Sequence, residues 1–114
     1  MKLFNVKKAS TPGEKLKGLI GSDGKTALYM QTRWGIHTFG MSFPIDLIIL
    51  DKKNEVVKYK RNLKPNRVFF WSPIYNNVVE VPTALVPEGA VKIGDEIVDP
   101  VRNLINSKAG HSQV

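Results

Sequence analysis

The chain has 114 residues, 42% of them hydrophobic, and seventeen Lys and Arg against ten Asp and Glu give it a formal charge of +7. That length holds one core of ordinary size and excludes a second domain. The absence of cysteine excludes disulfides, thiolate metal sites and a cysteine nucleophile, and the apolar run Leu47 to Leu50 falls far short of the roughly 20 residues a membrane helix needs.

The first eight residues are interrupted by Asn5 and then by charge, so they lack the continuous apolar centre of a secretory signal; the expectation is a cytoplasmic chain with no membrane contact. Residues 2–8 alternate imperfectly and suit a short first strand. Thr11-Pro12-Gly13-Glu14 then sets a capping hydroxyl before a proline in the first helical turn, with a glutamate three residues on to return the bond. Leu16, Leu19 and Ile20 share one face, so the spacing predicts a helix over 12–20 with Gly21 as terminator. Ser22-Asp23-Gly24-Lys25 is turn chemistry. Strand signals dominate beyond it, at 27–30, 46–50, 56–59, 68–71, 78–81 and 96–98.

The unbroken Leu47-Ile48-Ile49-Leu50 run argues burial on both faces, whereas Val57 and Tyr59 alternating with Lys58 and Lys60 argue one wet face nearer an edge. Residues 87–89 are expected to open one helical turn, and Asp99-Pro100 to cap a last helix through Leu104 and Ile105. The sum is an α+β, β-rich fold. One compact domain over 1–99 holds six or seven short, mostly antiparallel strands in a barrel-like or strongly curled sheet, with one N-terminal helix and one or two short helical turns. A short helix and polar tail follow over 100–114.

One segment gathers the groups able to do chemistry: His37-Thr38-Phe39-Gly40-Met41-Ser42-Phe43-Pro44-Ile45-Asp46, leading into the apolar strand and Asp51. His37 is the only histidine of the predicted domain, since His111 lies in the tail. An imidazole can accept and return a proton or orient a carboxylate; equally it can tie a loop down through one hydrogen bond. Asp46 could pair with His37 across a strand-to-loop corner, or accept backbone amides where the strand begins. Asp51 is five strand residues from Asp46, roughly 17 Å, which is too far for one paired-carboxylate site. Trp34, Phe39, Met41, Phe43, Trp71 and Tyr75 supply apolar surface for a pocket or, more simply, for the core. Gly35 and Gly40 bracket the histidine. With one domain histidine and no cysteine, neither a metal nor a cofactor is expected.

The positive charge is uneven. Lys52, Lys53, Lys58, Lys60, Arg61, Lys64 and Arg67 are opposed in their span only by Glu55. Lys58, Lys60, Arg61, Lys64 and Arg67 would suit nucleic acid, but lysines on the wet side of a hairpin also keep a sheet edge soluble, and that is the simpler expectation.

Taken together, the Lys17-Gly18-Leu19-Ile20-Gly21 helix end, the block from His37 to Asp46 with its run into Asp51, Val56-Val57, Glu80-Val81-Pro82 and Gly94-Asp95 resemble, in order and spacing, the bacterial and archaeal domain-of-unknown-function family 192, DUF192. The resemblance spans roughly residues 3–98. It implies a compact β-rich domain without an established activity; some members carry export signals. Similar sequences often have glycine where this chain has Ala84 and Ala90, and Pro87 lies between them, which weighs against a role needing backbone freedom in that loop.

The expected function is a monomeric, non-enzymatic module that meets a small ligand or a protein at Arg33, Trp34, His37, Phe39, Met41 and Asp46. One alternative is a hydrolase- or lyase-like enzyme with His37 as general base, Asp46 as its orienter and Arg33 holding an anionic substrate. The other is nucleic-acid binding through the basic segment.

Overall fold

An apolar run is stable as a strand only where both its faces are covered, and Ile45–Leu50 is fully buried at every position. A computed structural model describes residues 5–99 and 104–106. In it Ile45–Leu50 (β4) lies inside a five-stranded sheet with Asn5–Ala9 (β1), Thr26–Gln31 (β2), Asn77–Pro82 (β7) and Val56–Leu63 (β5), in the order β1-β2-β7-β4-β5. All neighbours are antiparallel except β1 and β2, which run parallel and are joined through the helix Pro12–Lys17 (α1). Two ribbons complete the fold: Gly35–His37 (β3) with Val68–Phe70 (β6), and Glu96–Asp99 (β8) with Leu104–Asn106 (β9). Among the described residues no helix is long and apolar enough to cross a membrane.

Strand alternation divides the core. On one face Ile48, Leu50, Val79 and Val81 pack with Val56, Val86, Val91 and Ile97. On the other, Leu47, Ile49, Val78 and Met30 pack with Trp71, while Ile45 meets Leu19, Met41 and Leu63. The ribbon β3–β6 covers this second face through Ile36 and Phe69. Each fully buried Leu or Ile here contributes about 1.5–3 kcal/mol.

Several expectations are corrected. The sheet is open, with β1 and β5 as its outer strands and no pairing between them among the described residues, so it does not close into a barrel. Exposed Lys58 and Lys60 protect the β5 edge. The described residues form nine strands, two more than expected: β3, and β9 in place of a helix through Leu104 and Ile105. Backbone bonding to β8 overrides the cap-like Asp99-Pro100 signal there. Capping at Thr11 and Glu14 forms as the sequence dictates, but α1 ends three residues early, at Gly18 with φ of 54°. The short helical turn is at Thr83–Leu85 and not at 87–89, where Ala90 N–H closes a simple turn onto the Pro87 carbonyl. The start of the expected first strand and most of the 100–114 segment lie outside the described residues.

Candidate functional site

His37 and Asp46 are not brought together. Asp46 shares its face of β4 with Ile48 and Leu50, whereas His37 belongs to the ribbon that covers the opposite face. The Asp46 carboxylate is fully buried and its acceptor capacity is filled. It takes hydrogen bonds from Tyr59 Oη, from Arg61 Nη1 at 2.9 Å, from the Asn62 amide at 3.0 Å and from Thr83 Oγ1 at 2.7 Å. A bulge in β5 makes this possible: Arg61 and Asn62 together oppose Asp46, with Asn62 at φ of 59°. Arg61 Nη2 continues to the Val86 carbonyl at 2.9 Å. Burial, followed by the bond to Asp46, pushes the Tyr59 hydroxyl up to about 12. This network joins β4, β5 and the 83–86 turn. Its carboxylate has no lone pair left for a substrate, and it cannot orient the His37 ring.

The unsatisfied acid is elsewhere. Glu80 lies on β7 with Leu47 and Leu28 as its cross-strand partners, so its side chain points toward α1 and the β3–β6 ribbon. It is 2% exposed, and Oε1 has no hydrogen-bond partner among the described residues. Burial pushes its pKa up to about 7, against a smaller lowering by the Leu19 amide. The chain leaves α1 at Gly18 directly over this carboxyl, where a β-carbon would stand 2.8 Å from Oε1. Only glycine accepts both the positive φ and that approach.

Glu80 is among the residues lining a cleft of about 430 Å³ between α1 and β3, with Lys15, Leu16, Gly18, Ile36 and His37. The volume lies within the range of small-molecule sites. His37 Nδ1 accepts the Phe39 amide at 3.3 Å, so the proton of a neutral ring resides on Nε2. His37 therefore stands in a cleft with a carboxyl, as the sequence suggests, but the carboxyl is Glu80. The sequence signal is an ionisable residue inside the apolar strand Val78-Val79-Glu80-Val81.

The other candidates separate. Met41 is buried in the core with Leu19 and Ile45. Trp71 is also core, its indole donating to the Tyr75 carbonyl at 2.9 Å. Arg33, Trp34 and Phe39 are exposed. Thr38 is fully buried and clamps the loop that follows β3: Oγ1 donates to the Lys64 carbonyl at 2.7 Å and accepts the Arg67 amide at 2.9 Å. In the basic segment Lys58, Lys60, Lys64 and Arg67 are exposed, Lys58 lies 5.0 Å over the Phe69 ring, and Arg61 is committed to Asp46.

Two solved structures share this fold. One is a protein of unknown function from Novosphingobium aromaticivorans, 19% identical, with 82% of this chain and 73% of that one aligned at a TM-score of 0.70. The other, from Sinorhizobium meliloti, is called a "putative transcription regulator"; it is 16% identical, with 80% and 78% aligned at a TM-score of 0.67. No curated protein matches the chain. The family model of DUF192, described as "Uncharacterized ACR", matches residues 1–98, and the chain belongs to that family.

Proposed function

We propose that the protein is a small binding module that takes a ligand of low molecular weight in the cleft between α1 and β3. The observation that carries this reading is Glu80: a buried carboxyl that lines the cleft with its Oε1 left without a partner among the described residues. A buried polar group left unpaired costs about 1–3 kcal/mol, more for a charged one. A ligand that brings an N–H or O–H to Oε1 recovers that cost on binding. Apolar contacts from Leu16 and Ile36 would hold the body of the ligand, and His37 Nε2 would supply a donor at the side of the cleft. The general-base alternative with Asp46 as orienter has no support in the geometry, because Asp46 is spent on Tyr59, Arg61, Asn62 and Thr83.

The test is amide-resolved NMR of the chain with a panel of small ammonium, amide and alcohol fragments. The expected result is saturable shifts at Gly18, Leu19, Ile36, His37 and Glu80, lost in Gly18→Ala, whose added methyl group meets the carboxyl. Fragments that leave these amides unmoved, or that shift them equally in Gly18→Ala, would refute the reading.

A further inference from the structure

The β3–β6 ribbon turns Ile36 and Phe69 into the core and its alternate residues away from it. The outward pairs are Gly35 with Phe70 and His37 with Val68. Phe70 is 68% exposed, and its ring covers Gly35, where a β-carbon would stand 2.7 Å from Cδ1. The His37 ring stacks on Phe39, with centroids 5.3 Å apart and planes 24° from parallel. Trp34 adds a further exposed ring immediately before β3. Alternation would send it inward beside Trp71, whose amide donates to the Trp34 carbonyl, but a φ of 78° re-aims it and leaves the residue 66% exposed. A bulky residue held at positive φ with its ring in water is costly in both backbone and apolar surface.

Charge selects the occupant. No Asp or Glu falls between positions 24 and 45 or between 56 and 79, the two stretches that supply the ribbon. Arg33 stands at one end, and Lys64 and Arg67 at the other, where Thr38 ties the strands together; all three cations are exposed. A chain of net charge +7 repels a second copy of itself and attracts a polyanion. The ribbon is three residues long on each strand, roughly 7–10 Å, and the flanking Trp34 and Phe39 extend its aromatic surface at either end of β3, enough for two or three unpaired bases to stack.

We infer that the outer face of the β3–β6 ribbon binds single-stranded nucleic acid, with Trp34, Phe70 and the His37–Phe39 pair under the bases and Arg33, Lys64 and Arg67 on the phosphates. Flat rings recognise bases only when these are unpaired, so duplex is a poor ligand. This inference requires neither Glu80 nor a small ligand; it shares His37 with the cleft, but Trp34, Phe70 and Arg67, whose variants test it, lie outside the cleft lining.

The experiment is fluorescence anisotropy of the full chain with fluorescein-labelled hexathymidylate, between about 50 and 200 mM salt. Binding is expected to weaken with salt, and Arg67→Ala to reduce the log–log slope by about 0.7. Trp34→Ala and Phe70→Ala are each expected to weaken binding about fivefold or more without changing that slope, and Phe70→Tyr to restore it. Circular dichroism confirms that these surface variants stay folded. Absence of binding at low salt, or aromatic variants that bind like the parent, would overturn the inference. So would polyglutamate competing as well as the oligonucleotide, which would indicate an acidic protein partner. Sedimentation as a dimer without oligonucleotide binding would assign the face to self-association and overturn it equally.

Discussion

Replacing Glu80 with glutamine should make the protein more stable at neutral and alkaline pH, and less dependent on pH. Glu80 is moved from its ordinary 4.5 to about 7 by burial, so between those values the folded chain holds the proton that the unfolded chain releases. Stability is therefore complete below about pH 4.5, falls as the pH rises toward 7 and levels above it. At 1.36 kcal/mol per pH unit the ionised carboxyl costs folding about 3 kcal/mol. The amide introduced by Glu80→Gln keeps the shape and never ionises, so the advantage of that variant over the parent should grow by about that amount between pH 4.5 and 8, equivalent to about 10 °C in Tm for a domain of this size. The assay is thermal unfolding of both proteins across that range. An equal difference between them at both ends would refute the reasoning, because an ordinary surface glutamate would behave in that way.

Other expectations follow from the same geometry. Asp46→Ala leaves the Tyr59 and Thr83 hydroxyls, the Asn62 amide and the Arg61 guanidinium without their acceptor; since Arg61 is one-third exposed, the loss should lie near the low end for a buried pair, about 3 kcal/mol in urea unfolding. Gly18→Ala should cost about 1–2 kcal/mol through its positive φ and its contact with Glu80 Oε1, measured by thermal unfolding. Thr11→Ala removes the cap that accepts from the Glu14 amide at 3.1 Å and should cost about 1 kcal/mol, visible as loss of amide protection in the first turn of α1.

What is legible in the sequence is what depends on local pattern. The apolar run of β4 announces a strand buried on both sides, and Thr11-Pro12-Gly13-Glu14 announces a capped helix, because each signal is complete within a few residues. β3 is not legible: it is three residues long, begins at a glycine and follows a tryptophan at positive φ, so no alternation is visible. β9 reads as a helix because its partner, β8, meets it only in the folded chain. The candidate site is half legible. His37 stands out from its loop, but the carboxyl nearest to it in sequence on the strand side is Asp46, which strand parity turns to the opposite face, where the β5 bulge surrounds it with donors. Glu80 shows in the sequence only as an ionisable residue inside an apolar strand. Only the approach of Gly18 and the parity of β7 against β2 and β4 show that it is buried with Oε1 unpaired among the described residues.

The central claim is that one buried carboxyl, Glu80, lines the α1–β3 cleft with its Oε1 left without a hydrogen-bond partner among the described residues. Its most direct test is a site-resolved titration of the Glu80 carboxyl carbon by NMR. The expected midpoint is near 7 in the free protein, falling when a fragment donates a hydrogen bond to Oε1. A midpoint near 4.5 that no fragment moves would mean that Glu80 is solvated or already paired, and the cleft would lose its claim to a ligand.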